Sequence, residues 1–269
     1  MIRAMALLAL AACGAAHADE GPLWELGAGV GALSFPDYRG SSRQRSYVLP
    51  VPMVVYRGEV FQADRERVRG VFFRTAEYDV DVSVNGSVPV ESDGGGAREG
   101  MDDLDPTLEI GPSFNWKLVQ GPRHTLTFRL PVRAVIASDF RSVHAEGVIA
   151  NPSLNLDFRM DHGWKLGLQA GVLAASRRYH AYFYDVASDE ARPGRPAFQA
   201  AGGYSGAQLV ASLTRRFDRW FVGGFVKADF LGGAAFLASP LIERRDNITA
   251  GLAVTYVLAR SPRIVSVPD

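Results

Sequence analysis

Apolar and polar residues alternate with a period of two along most of this chain. Leu126, Phe128, Leu130, Val132 and Ala134 alternate with Thr125, Thr127, Arg129, Pro131 and Arg133. Leu154, Leu156, Phe158 and Met160 alternate with Ser153, Asn155, Asp157 and Arg159. Leu108, Ile110, Phe114, Trp116 and Leu118 alternate with Glu109, Gly111, Ser113, Asn115 and Lys117. Tyr78, Val80, Val82 and Val84 do the same against Asp79, Asp81, Ser83 and Asn85, and 164–172 repeats the pattern. Successive side chains of a strand point to opposite faces, so each stretch reads as a strand with one apolar and one polar face. No stretch of comparable length carries a 3.6-residue period.

The pattern predicts about twelve strands, at 22–34, 47–57, 59–65, 69–75, 77–88, 107–119, 123–136, 151–161, 163–176, 204–217, 219–231 and 247–258. Several exceed the five or six residues usual in soluble sheets and reach the ~9–11 that a tilted strand needs to cross a bilayer. The joints alternate. Arg57-Gly58, Gln120-Gly121-Pro122, Asp161-His162-Gly163 and Asp218 are tight, while 35–46, 89–106, 137–150, 177–203 and 232–246 are long. Short turns at one end and long loops at the other predict an all-β, transmembrane, antiparallel up-and-down β-barrel with both termini on the periplasmic side. The two strands within 59–75 look short, and merging them gives ten. A soluble sandwich also alternates, but with shorter strands and evenly short loops.

In a barrel the apolar face meets lipid. Trp24, Trp116, Trp164, Trp220, Tyr56 and Tyr256 lie near strand ends, where interfacial girdles form. The other face carries Asp79, Asp81, Glu109, Lys117, Arg129, Arg133, Asp157, Arg159, Lys165, Lys227 and Asp229, which are expected to point into the lumen. Their mixed signs predict a lumen largely filled by its own ion pairs.

The first 18 residues place Arg3 before an apolar run from Ala4 to Ala12 and a small-x-small site, Ala16-His17-Ala18. This is the pattern of a secretory signal peptide, leaving 19–269 as the barrel domain. Leu10-Ala11-Ala12-Cys13 also matches a lipoprotein cleavage box with Cys13 lipidated. Beyond it no stretch approaches the ~20 apolar residues of a membrane helix.

Composition narrows the chemistry. Lys+Arg and Asp+Glu are 29 each, and this zero balance argues against a nucleic-acid partner. The 47% hydrophobic content excludes a disordered chain. Cys13 is the single cysteine, so the mature chain is expected to hold neither a disulfide nor a Cys-based zinc site. His124, His144, His162 and His180 form no metal-binding pair, and no serine flanks them in an enzyme-like pattern; no cofactor and no enzymatic activity are expected. Glu91, Asp93, Glu99, Asp102, Asp103 and Asp105 crowd a loop with Gly94-Gly95-Gly96. Flexible oxygen ligands suit a divalent cation, but the spacing is not that of an EF-hand, and a solvated acidic loop is the simpler reading. Arg177, Arg178, Arg192 and Arg195 make another loop basic, suited either to lipopolysaccharide phosphates or to plain solvation. Asn247-Ile248-Thr249 reads as a strand start.

Local motifs add a resemblance. Phe35-Pro36-Asp37-Tyr38-Arg39-Gly40-Ser41 follows a Gly-rich first strand. Leu49-Pro50-Val51-Pro52, Tyr56-Arg57-Gly58 and Arg69-Gly70 come next, then Pro106, Glu109-Ile110-Gly111-Pro112 and Ser239-Pro240-Leu241. In order and spacing the chain resembles the MipA/OmpV family of Gram-negative outer-membrane proteins. That resemblance implies a β-barrel in the outer membrane, among outer-membrane lipid and lipopolysaccharide. It further implies a scaffold that binds a lytic transglycosylase and, through it, a peptidoglycan synthase; other members are described as antigens, adhesins or stress-responsive proteins. It supplies no catalytic residues. The chain departs from many barrels in running on through Ala259–Asp269 after its last strand. Read on their own physics, Pro50 and Pro52 each lack an N–H and interrupt a ladder, while Gly58 suits a periplasmic turn. The motifs read as structural rather than as a ligand site. The expected function is a monomeric, non-enzymatic scaffold linking the outer membrane to peptidoglycan-remodelling enzymes. Its rivals are a channel for small polar solutes and an adhesin acting through 89–106 and 177–203.

Overall fold

The computed structural model describes residues 19–57, 61–63, 68–70, 73–93, 95–139 and 141–267. The leader and Gly58 lie outside the described residues. The strands are β1 (Asp19–Pro22), β2 (Trp24–Pro36), β3 (Gln44–Arg57), β4 (Phe61–Ala63), β5 (Val68–Gly70), β6 (Phe73–Arg74), β7 (Tyr78–Ser87) and β8 (Thr107–Gln120). They continue with β9 (His124–Ser138), β10 (Val143–Ala150), β11 (Ser153–Arg159), β12 (Trp164–Ala175), β13 (Gly203–Phe217), β14 (Trp220–Phe230), β15 (Asp246–Arg260) and β16 (Ile264–Val267). One helix, α1 (Arg177–Tyr184), stands between β12 and β13.

Every pairing is antiparallel, and β2 bonds to β15, so the first and last long strands meet. The main sheet runs from β5 through β4, β3, β2, β15, β14, β13, β12, β10, β9, β8 and β7 to β6, with β11 between β12 and β9. Only residues 71–72 separate the two ends, β5 and β6, in the chain, so the path returns on itself as a barrel. With β5–β6 and β10–β11 each counted as one wall position, the fourteen strands of this sheet fill twelve positions. Within 59–75 the described strands are short, with three residues in β4, three in β5 and two in β6.

The wall is built inside out relative to a soluble sheet. In β8, Thr107, Glu109, Ser113 and Asn115 are buried while Leu108, Ile110, Phe114 and Trp116 are exposed. In β15, Leu252 is 61% exposed, while Asn247, Thr249 and Thr255 face inward and are buried. Hydrophobic transfer favours this arrangement only where the outer solvent is hydrocarbon. At the short-turn end, Trp220 packs on Tyr256 at 4.9 Å, Tyr78 on Trp116 at 5.8 Å and Trp164 edge-on against Phe217 at 6.5 Å. These aromatics form the interfacial belt there.

Two departures from the sequence reading have clear causes. Residues 143–150, expected in a loop, form β10, which pairs with β9, and Asp139 Oδ1 accepts the Ser142 amide at 2.6 Å between the two strands. A bulge between Ala145 and Gly147, with Gly147 at φ +107°, breaks the alternation that would have marked this strand. Asn151-Pro152 then interrupts the wall before β11, because proline cannot donate to a ladder. The tail after β15 also forms structure: β16 pairs with β1 in a separate two-stranded ribbon at the short-turn end.

The largest apolar core lies outside the wall. Tyr38, Val90, Leu104, Phe183, Tyr184, Ala200, Leu231, Ala234 and Phe236 come from four long connections and pack into one cluster over the mouth of the barrel. Leu231 and Phe236 are 0% exposed.

Candidate functional site

The lumen and its cap carry the chemistry. Arg133 Nε donates to Glu109 Oε2 at 2.9 Å, and Arg133 Nη1 donates to Ser83 Oγ at 3.2 Å. Asn115 Nδ2 donates to Asp79 Oδ2 at 2.7 Å and Asn115 Oδ1 accepts from Arg129 Nε at 2.9 Å. Asp229 takes Arg39 at 3.0 Å and Lys227 at 3.1 Å. Asp81 is buried beside these groups with neither carboxylate oxygen hydrogen-bonded. Lys117 sits half-buried on the same face of β8, and Asp157, Arg159 and Lys165 are exposed at the short-turn end. Glu25, fully buried in the Gly-rich β2, holds Arg216 through both its oxygens, at 3.0 and 2.7 Å. Sequence reading missed that pair; its one signal was a lone acid among glycines.

The Pro36–Ser41 motif forms the keystone of the mouth. Arg45 and Arg43 both reach the buried Asp37 carboxylate. Tyr38 donates its hydroxyl to the Leu241 carbonyl at 2.8 Å, and burial pushes its phenol well above the ordinary tyrosine range. Gly40 adopts φ +101°, and a Cβ there would meet Ile242 Cδ1 at 2.5 Å, so the site requires glycine. Asn247 Oδ1 accepts the Gly40 amide at 2.6 Å and its Nδ2 donates to the Ser41 carbonyl at 2.8 Å. The Asn247 side chain thus clamps the β2–β3 turn to β15. Tyr184 donates to the Arg39 carbonyl at 2.9 Å and stacks on Phe236 at 3.7 Å, tying the same turn to α1 and the 231–245 connection. Pro50 and Pro52 lie on the outer face of β3 opposite Val30 and Ala28 of β2, Tyr56 and Arg57 end that strand, and Arg69 and Gly70 belong to β5. Among the described residues, β3 meets β4 only at Tyr56 and Arg57, which suits proline's confinement to strand edges.

The cap is organised by α1, which Ser176 starts by accepting the Tyr179 amide at 3.4 Å. His180 is fully buried. Its Nδ1 lies 2.6 Å from the Ala201 carbonyl, which places the proton there, and Nε2 accepts from Ser205 Oγ at 2.6 Å. Burial lowers the His180 pKa below the ordinary range, opposed by the Ala201 carbonyl and reinforced by Arg39. Ser205 stands twenty-five residues from His180 and comes from a bulge in β13, so no local sequence pattern announced the contact. The basic loop does not form one patch. Arg178 faces Glu146 at 3.6 Å, Arg177 lies 3.9 Å from Asp185, Arg192 is exposed, and Arg195 is buried against backbone carbonyls. The acidic loop does not converge either: Asp103 caps the Ser92 amide at 2.7 Å, Glu91, Asp93, Glu99 and Asp102 are exposed, and Asp105 is half-buried. Among the described residues no three His, Cys, Asp or Glu side chains gather as metal ligands.

The family described as MltA-interacting protein MipA matches residues 28–258. The chain belongs to this family. With the closed barrel, this membership places the MipA-family chain in the outer membrane. No curated protein matches it in sequence. Solved structures with a similar course include a bacterial polysaccharide outer membrane secretin, at 8% identity, TM-score 0.43, 87% of this chain and 99% of that one. The NanC porin follows at 6% identity, TM-score 0.40, 86% and 100%. A Pseudomonas aeruginosa FadL homologue is similar at 8% identity, TM-score 0.33, 88% and 90%. Likeness at this distance assigns no function to the MipA-family barrel.

Proposed function

We propose that this MipA-family barrel is a closed, non-enzymatic scaffold that anchors peptidoglycan-remodelling enzymes to the outer membrane. The observation that supports this reading is the apolar cluster that the long connections build at the mouth. Four connections bury Leu231 and Phe236 completely above a lumen whose wall carries the pairs Arg39–Asp229 and Arg133–Glu109. A barrel closed in this way is suited to work through its ends rather than through its bore. Its periplasmic end offers tight turns and the β1–β16 ribbon, with Ile264 exposed. The family description, an MltA-interacting protein, suggests a lytic transglycosylase as first partner, with a peptidoglycan synthase reached through it.

In-cell cross-linking from positions on the ribbon and the periplasmic turns tests this. The expected result is enrichment of a lytic transglycosylase or peptidoglycan synthase over an unrelated barrel, together with no steady conductance in planar bilayers. Large steady pores, or recovery of lipopolysaccharide and bulk envelope proteins alone, would overturn the scaffold reading in favour of a channel or an adhesin.

A further inference from the structure

Near the periplasmic end, the outward face of the wall carries a cation. Register places Trp164 of β12 opposite Arg215 of β13, and Arg215 opposite Val222 of β14. Leu209, Leu213 and Phe217 share this face of β13 and are exposed, so Arg215 belongs to the surface that meets hydrocarbon. Among the described residues of β12, β13 and β14, Arg215 is the one charged side chain on that face. Lys165, Arg216, Lys227 and Asp229 have the opposite parity and stand on the lumen face.

Its surroundings hold this cation without neutralising it. The guanidinium carbon lies 4.1 Å from the centroid of the Phe217 ring and 5.5 Å from that of Trp164, and the two rings meet edge-on. Such contacts orient the group and leave its charge in place. Nε is buried with no acceptor, and among the described residues the guanidinium has neither a hydrogen bond nor an ion pair to protein. The two adjoining turns hold one acid each. Asp161 is taken by Arg123 at 3.0 Å, and Asp218 is followed directly by Arg219. Arg215 stands two residues inside the end of β13, which at ~3.3 Å per residue and a tilt of ~40° is ~5 Å along the membrane normal. That is the level of the aromatic belt, where lipid headgroups lie.

We propose that Arg215, framed by Trp164 and Phe217, binds the phosphodiester of a glycerophospholipid in the periplasmic leaflet. The guanidinium fork takes two phosphate oxygens, the bidentate geometry in which arginine binds anions best. An acyl chain of the same lipid follows Leu213 and Leu209 along β13 toward the midplane. Charge complementarity selects this occupant, since the unanswered cation needs an anion at headgroup depth. Continuity selects it too, because the site opens on the face that the wall already turns to lipid. The inference rests on the barrel's place in the membrane and is independent of the scaffold reading.

Native mass spectrometry of the full mature barrel in detergent tests this, with phosphatidylglycerol as the probe and diacylglycerol of the same acyl chains as the phosphate-free control. One phosphatidylglycerol is expected to stay on each barrel after the micelle is stripped, and no diacylglycerol. Arg215→Gln should weaken retention about tenfold or more, the loss of a charge-assisted contact. Arg215→Lys keeps the charge without the fork and should fall between. Phe217→Leu keeps the charge but removes a ring that orients it, and should also weaken retention. Arg219→Gln removes a charge of the neighbouring turn and should leave retention unchanged. Equal retention in wild type and Arg215→Gln, an equal loss on Arg219→Gln, diacylglycerol held as firmly as phosphatidylglycerol, or no retained lipid overturns the proposal.

Discussion

The inside-out wall makes a quantitative demand on Leu252→Arg. Leu252 is the seventh of fifteen residues in β15 and is 61% exposed on the outer face. At ~3.3 Å per residue and a tilt of ~40°, β15 rises ~38 Å against an apolar band ~25 Å tall, so Leu252 sits near the midplane. Leu258, 65% exposed on the same face, lies ~15 Å further along the membrane normal, at the interface. An arginine at the midplane of a barrel's outer face costs ~2–4 kcal/mol and near the interface ~0–1 kcal/mol. Leu252→Arg is therefore expected to lose about 3 kcal/mol and Leu258→Arg less than ~1 kcal/mol. Equilibrium urea unfolding in lipid vesicles, followed by tryptophan fluorescence, measures both. On a water-facing sheet either change stays within about ±0.5 kcal/mol. Equal and small losses at the two positions would refute the lipid-facing assignment.

Other expectations follow from the lumen and the cap. Arg133→Ala strands the buried Glu109 carboxylate and should cost roughly 3–5 kcal/mol in the same unfolding assay, whereas the double change Glu109→Gln with Arg133→Met should cost clearly less. Asn247→Ala removes both clamps on the Gly40–Ser41 turn and should destabilise by about 1–3 kcal/mol, with faster amide exchange at 38–43. His180 has a lowered pKa in the folded cap, so the unfolded chain binds its proton first as pH falls. Its stabilising contribution is complete above the unfolded value near 6.5 and shrinks from there down to the folded value. Limited proteolysis within 187–196 should therefore speed up as pH drops below about 6.5, and His180→Gln should flatten that dependence. Pro50→Ala, exposed and paired only to β2 among the described residues, should change stability by less than ~0.5 kcal/mol.

Legibility differed between wall and cap. Long runs such as Thr107–Lys117 alternate without a break, so β8 and its lumen charges could be read residue by residue. β10 could not, because the Gly147 bulge shifts the faces by one residue and Val143–Ala150 then shows no single period. The lumen residues were named, but not their partners. Nothing local links Glu25 to Arg216, which lie 191 positions apart. The keystone motif was visible as a string, and its use was not, since Asn247 and Leu241 join it only after the barrel closes.

The sequence by itself determined the class of the molecule, because period two is a property of each strand alone and its length is matched to the thickness of a membrane. It also determined which face meets lipid, since polarity is carried residue by residue. The tertiary structure alone decided that the long connections share an apolar core. Loop residues such as Tyr38, Leu104, Phe183 and Phe236 share no period and become a core only when four connections are brought over one ring. It likewise decided that Arg98 and Arg195 are buried against main-chain carbonyls, because burial depends on what the fold places around a side chain.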